Sequence, residues 1–215
     1  MFDRGDPQNE GVLRAFIRSG YRLTDLESHR RDRQGRARVF LNNIVGLVDH
    51  GFLVRAWGSR RDITERKRAE RVQAATYRIS EAANSVGNLD DLYTSIHRIV
   101  ADLMPARNFY VALLDAPNRR LTFPYFVDEI DTNFDPKPLG KGLTEYVLRT
   151  EEPLLATPEV YERLLRAGDV ELVGAPSIDW LGVPLRGTDH TFGALVVQSY
   201  EQGVRFGDEE KRILQ

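Results

Sequence analysis

Apolar residues recur at two different periods along this chain, and each change of period marks a boundary. After the turn residues Gly5-Asp6-Pro7-Gln8-Asn9, Val12, Leu13, Phe16 and Ile17 sit at helical spacing, and Ser19-Gly20 ends that helix with glycine as its C-terminal cap. The pattern then turns to alternation. Tyr21 to Ser28 predicts one strand, Arg38 to Val48 a second and Phe52 to Gly58 a third, with turns at Arg33-Gln34-Gly35 and Asp49-His50-Gly51. Residues 1–61 are thus expected to hold one helix and a three-stranded antiparallel meander. By itself such a meander leaves one face to be covered and two edges open.

Helical spacing returns over residues 62–86. Asp62 precedes Glu65 by three residues, so a capping box is expected, with the Asp62 carboxylate accepting from first-turn N–H groups while Glu65 reaches back. Ala69, Val72, Thr76, Ile79, Ala83 and Val86 follow at steps of three and four, one seam of a short heptad pattern. Its members are small or polar as often as large, which predicts a weak, adjustable contact and, through it, a homodimer.

Gly87-Asn88 breaks this helix, and residues 87–215 read as a separate domain. Leu89, Leu92, Tyr93, Ile96, Ile99, Val100 and Leu103 form the stripe of an amphipathic helix that ends before Pro105. Asn108 to Asp115 is apolar at both parities, as a strand covered on both faces should be. A turn at Ala116 to Arg120 leads into a strand over Leu121 to Val127, and a polar loop runs on to Pro138. Gly140-Lys141-Gly142 precedes a short helix over Leu143 to Thr150. A brief strand at Leu154-Leu155-Ala156 and a helix from Pro158 to Gly168 come next. Asp179 to Leu185 and Thr191 to Tyr200 make the last hairpin, and Asp208 opens a final helix. The fold class is α+β: a mostly antiparallel sheet with helices on both faces.

Two stretches resemble known families. Trp57-Gly58-Ser59-Arg60-Arg61-Asp62-Ile63-Thr64-Glu65-Arg66-Lys67 is similar to the C-terminal end of a PAS domain, where an Asp-Ile-Thr triplet marks the exit into a signalling helix. The likeness extends back to about Phe16 and makes Asp62, Ile63, Thr64 and Glu65 candidate relay residues. The front half of a PAS domain is missing from residues 1–61, so a fragment of a longer protein is expected, or a meander that packs on something else; the last helix, barely begun at Gln215, also points to a fragment. Residues 75–215 resemble a GAF domain through Gly140-Lys141-Gly142-Leu143-Thr144, Glu152-Pro153-Leu154, Trp180-Leu181-Gly182-Val183-Pro184-Leu185, Gly193-Ala194-Leu195, and Phe206 with Asp208. The resemblance implies a pocket between sheet and short helices. Tyr110, Phe126, Leu143, Tyr146 and Trp180 are candidates for its walls, with Lys141 and Ser177 as polar groups.

Composition narrows the chemistry. None of the 215 residues is cysteine, which removes disulfides, thiolate metal sites and thiol nucleophiles. Bilin attachment and the GAF-fold methionine sulfoxide reductases both depend on cysteine, so the resemblance carries neither property here. No apolar run approaches the ~20 residues of a membrane span, and the first residues are unlike a signal peptide, so a cytoplasmic location is expected. Residues 1–71 hold 16 Lys+Arg against 10 Asp+Glu, and residues 72–215 hold 14 against 22. The basic half lacks any nucleic-acid-reading motif, and a solvated basic face accounts for it.

His29, His50, His97 and His190 show no helical ligand pair, and a haem ligand or phosphoacceptor reading of His97 is weaker than that of a histidine at a packing boundary. Gly140-Lys141-Gly142 could hold an anion through its N–H groups but lacks the rest of a P-loop. No nucleophile or clustered acid–base pair appears. The chain therefore reads as a non-catalytic sensory fragment that passes small-molecule or partner binding to a histidine kinase or, alternatively, a diguanylate cyclase; the competing reading is a ligand-free dimerisation spacer.

Overall fold

The computed structural model describes residues 7–33, 36–85, 87–132 and 134–215, with the side chains of residues 11–33, 36–84, 87–132 and 134–215. They divide into two compact units, Met1–Arg71 and Val72–Gln215.

In the first unit, α1 (Pro7–Arg18) leads to β1 (Arg22–Arg31), β2 (Ala37–Asp49) and β3 (Phe52–Asp62), an antiparallel sheet in the order β1-β2-β3. His50 and Gly51 both take positive φ, 48° and 82°, the mirror-image turn whose twist suits a two-residue hairpin. Phe16 of α1 is buried and meets the Tyr21 ring edge-on at 5.6 Å. Gln34 and Gly35 of the first expected turn lie outside the described residues. Phe52, Val54 and Trp57 of β3 are exposed, the uncovered apolar surface expected of a lone meander.

The Asp62-Ile63-Thr64 triplet is the hinge between strand and helix, and each residue has a distinct task. Asp62 closes β3, and its carboxylate accepts from the Thr64 N–H at 2.9 Å. Hydrogen bonding from the Thr64 side chain and then its N–H, aided by Arg38, holds the Asp62 carboxyl below its ordinary value. Ile63 is buried and donates its N–H to the Val39 carbonyl at 2.9 Å. The Thr64 hydroxyl accepts from the Val39 N–H at 2.9 Å, so the first helical residue is hooked to the middle strand.

The expected capping box does not form. Asp62 is still a strand residue, and Glu65 is exposed and turned toward Arg68 at 3.8 Å. The helix itself, α2, spans Thr64–Ser85. Along it Val72 and Ile79 are half-buried within the chain beside buried Ala75, whereas Ala69, Thr76 and Ala83 are exposed; Val86 lies outside the described residues.

The second unit starts with α3 (Leu89–Leu103), capped by the Asn88 side chain accepting from the Asp90 N–H. Six strands follow: β4 (Asn108–Asp115), β5 (Arg120–Val127), β6 (Lys137–Pro138), β7 (Leu154–Ala156), β8 (Asp179–Arg186) and β9 (Thr191–Ser199). Helices α4 (Leu143–Thr150), α5 (Pro158–Ala167) and α6 (Asp208–Leu214) complete it. Every pairing is antiparallel, in the order β6-β5-β4-β9-β8-β7. Lys137-Pro138, expected as loop, is a two-residue edge strand on β5; its proline sits where an edge tolerates a missing donor.

Alternation sorts the sheet's side chains into two cores. Phe109, Val111, Leu181, Val183, Leu195 and Val197 pack with Val100 of α3, with Met104 at its C-terminal cap and with Phe206 ahead of α6. Their neighbours Tyr110, Ala112, Trp180, Ala194 and Val196 pack on the opposite face with Val147 of α4. His97 belongs to the first core. It stacks on Phe109 at 4.5 Å, and Nε2 lies 2.7 Å from the Ala106 carbonyl while Nδ1 lies 2.9 Å from the Tyr125 hydroxyl. A carbonyl only accepts, so this network assigns the proton to Nε2 and makes Nδ1 the acceptor from Tyr125.

Asp179 ties β8 to the segment entering α6. It is fully buried and accepts from the Phe206 N–H at 2.7 Å and from both nitrogens of the Arg205 fork at 2.9 and 3.1 Å. Removing one partner of a buried pair strands the other and opens the backbone donor. Asp179→Ala is therefore expected to lower stability by about 3 kcal/mol in denaturant unfolding. Arg205→Ala leaves the fully buried Asp179 carboxylate without its cation and is expected to cost a comparable amount.

Candidate functional site

The second core is incomplete where α4 crosses the sheet, leaving a cavity of about 440 Å³. That volume is in the range of small-ligand sites. Its floor is set by register: Phe126 lies opposite Tyr110, and Tyr110 opposite Val196, across β5, β4 and β9. Trp180, two residues before Gly182 on β8, lies flat along its own strand. A Cβ at position 182 would fall 2.3 Å from the indole, so glycine is the side chain that leaves room for it. The tryptophan then reaches Tyr110, donating from Nε1 to the hydroxyl at 3.2 Å, and that hydroxyl shares a hydrogen bond with Thr144 Oγ1 of α4 at 2.9 Å. Floor and roof are thus joined by one buried hydroxyl. Burial pushes the Tyr110 phenol up to about 12.

Two loops form the rim. Asp128 anchors the first, accepting from Gln198 Nε2 at 2.5 Å, from the Tyr200 hydroxyl at 3.1 Å and from the N–H groups of Ile130 and Asp131 at 2.9 and 2.7 Å. Burial and the Asp128 charge push the Tyr200 phenol upward as well. Asp131 then accepts from the Ala175 N–H of the second loop at 3.3 Å, tying the rims together. Phe134 stacks over Phe126 at 5.7 Å.

Of the seven residues expected at the pocket, Tyr110, Phe126, Leu143, Ser177 and Trp180 line this cavity. Lys141 and Tyr146 do not. Lys141 is exposed and lies 3.7 Å from Glu171, and the Tyr146 ring carries the Arg149 guanidinium at 5.3 Å. The anion-site alternative for Gly140-Lys141-Gly142 also fails, because the protein's own carboxylate takes the place: Glu145 Oε1 accepts the Gly140 N–H at 3.2 Å. Glu145, Phe123, Asp131, Tyr161 and Gln198 line the cavity without having been singled out in the sequence. Glu145, third residue of α4, carries the sequence signal of a solvated first-turn acid, yet it is only 5% exposed.

The sequence model of the GAF domain family matches residues 87–215. The chain belongs to the GAF domain family. Its GAF domain is similar in fold to that of an Acinetobacter phosphoenolpyruvate-protein phosphotransferase: 22% identity, TM-score 0.53, covering 69% of this chain and 86% of that one. A putative GAF sensor protein from Burkholderia vietnamiensis is similar at 18% identity and TM-score 0.53, covering 68% and 87%. The free methionine-R-sulfoxide reductase from Neisseria meningitidis, solved with its substrate, is similar at 14% identity and TM-score 0.53, covering 69% and 83%. No curated protein matches the chain.

Two measurements test the geometry of the GAF cavity. Gly182→Ala should drive the indole of Trp180 from its place at a cost of roughly 1–3 kcal/mol. The emission of Trp180, read in a Trp57→Phe background, should shift with it. The raised phenol sets the alkaline limb of stability. Below pH 10, the ordinary value, the contribution of Tyr110 is whole; as pH rises from 10 to about 12 the unfolded chain ionises first and the contribution is lost. About 3 kcal/mol should disappear over that window, in addition to any loss from Tyr200, and Tyr110→Phe should flatten the limb.

Proposed function

We propose that this chain is a non-catalytic sensory module in which a small molecule occupies the GAF cavity and the change is relayed through helices to a histidine kinase output, with a diguanylate cyclase as the alternative output. The cavity carries this reading: an aromatic floor, an α4 roof held to it by Val147 and by the Tyr110–Thr144 hydrogen bond, and rims tied through Asp131. Such a site can change the position of α4 or the rims when filled.

A route outward is present in the covalent neighbour of the cavity wall. Trp180 faces the cavity, and Asp179 beside it holds the Phe206 N–H and Arg205 just ahead of α6. Movement of the tryptophan is therefore felt at the start of the last helix. At the other end, the PAS-like reading of the meander rests on the Asp62-Ile63-Thr64 hinge, which couples the middle strand to α2. Exposed Ala69, Thr76 and Ala83, seven residues apart, offer the homodimer seam, and the proposed setting is cytoplasmic. No helix among the described residues is long and apolar enough to cross a membrane. The non-catalytic assignment rests on the sequence, which has no cysteine thiol and no recognisable catalytic motif.

A ligand needs differential affinity for two states to shift their balance. A thermal-shift screen of the chain with a metabolite panel should find at least one compound whose stabilisation grows with concentration, as mass action requires. That compound should also alter hydrogen exchange across residues 206–214. A panel with no stabilising compound would favour the spacer reading, and a monomer by light scattering at high concentration would remove the dimer.

A further inference from the structure

We propose that the cavity takes a small organic cation, an ammonium or amidinium bearing N–H donors on an apolar or aromatic body. This rests on the ligand-binding reading above and adds the chemical class.

Glu145 carries the inference. It lies in the first turn of α4 at the cavity wall, 95% buried by its 5% exposure. Oε1 accepts the Gly140 N–H at 3.2 Å, and the Lys137 ammonium stands 3.7 Å away. Oε2 has no hydrogen-bond partner among the described residues. The Gly142 backbone faces it, and a Cβ there would fall 2.7 Å from Oε2, so any larger residue at this position would have to shift the carboxylate. An ionised carboxylate has about four lone-pair sites. Leaving most of them dry in a buried place is costly, and a donor arriving in the cavity recovers that cost.

The surrounding charge selects the sign of that donor. Asp131, Asp135 and Glu171 also line the cavity, and Lys137 is the cationic side chain among its described lining residues. Glu171 is already paired with Lys141 and Asp131 with the Ala175 N–H, but the excess of carboxylate over Lys137 still disfavours a phosphate or carboxylate ligand and favours a cation. The aromatic wall fits the same guest. Lys137 already places its ammonium over the Phe123 ring at 5.6 Å, so the protein itself holds a cation on this face. An incoming cation would share Glu145 with that lysine or displace it.

Isothermal calorimetry and thermal shift on the full chain can test this with matched probes: benzamidine against benzoate, and phenethylamine against its N,N,N-trimethyl derivative. The N–H cations should bind at least tenfold more tightly than the isosteric anion and than the quaternary amine, which keeps the charge but has no N–H for Oε2. Glu145→Gln should fold as the wild type does by circular dichroism and weaken the cations about tenfold or more. Lys137→Met, which removes the internal competitor, should strengthen them several-fold. Benzoate binding as tightly as benzamidine, or cation affinity indifferent to Glu145→Gln, overturns the assignment. If benzoate binds and changes Trp180 emission, the cavity remains a sensory site for another class of ligand. If neither these probes nor a metabolite panel shifts the melting temperature, the sensory reading fails together with this one.

Discussion

The six-stranded sheet is covered on both faces, and the rest of the domain answers to that constraint. Successive residues on β4, β8 and β9 serve different cores, so Asp179, Trp180 and Leu181 have three separate environments within about 7 Å of chain. Leu181 packs with α3 and with Phe206 on one side. Trp180 belongs to the α4 side, where the short helix and two loops leave the cavity. Asp179 reaches past the sheet to hold the approach to α6. A shift of one residue in register would exchange all of these roles at once.

The cavity is held by polar bonds as well as by aromatic and aliphatic packing. One phenol, Tyr110, joins floor to roof, and one carboxylate, Asp128, gathers a glutamine, a tyrosine and two backbone donors at the rim. Directional bonds of this kind hold a cavity open without filling it, and a ligand can exchange with them individually. Glu145 is the exception to the satisfaction seen elsewhere in the site. An acceptor left dry at the N-terminal end of α4, where a negative charge is favoured by the helix itself, is tolerated in position while lacking a donor. The similarity to solved GAF domains shares the fold with proteins of different tasks, and the task of this one has to be argued from such individual side chains.

At the other end of the chain the Asp62-Ile63-Thr64 triplet replaces the expected capping box by a different solution to the same problem. A helix that begins directly from a strand has N–H groups to satisfy, and here the strand's own last carboxylate accepts one of them while the threonine hydroxyl turns back to β2. The Glu65 side chain is then released to the surface.

By itself the sequence determined most of the elements, because helix and strand periods are local and the turn residues between them are strong punctuation. It determined the two-sided burial of β4, whose apolar residues run through both parities, and the absence of thiol chemistry. It also located the aromatic floor at Tyr110, Phe126 and Trp180. Only the tertiary structure decided which polar residues belong to the site. Lys141 and Tyr146 sit within four residues of Glu145, yet Lys141, ahead of α4, is exposed and the half-buried Tyr146 ring lies against Arg149, while Glu145 is buried at the cavity wall. No local period records that placement, since it is set by packing of α4 on β8 and β9, far along the chain; nor does any record β6, whose two residues are strand only because β5 lies beside them.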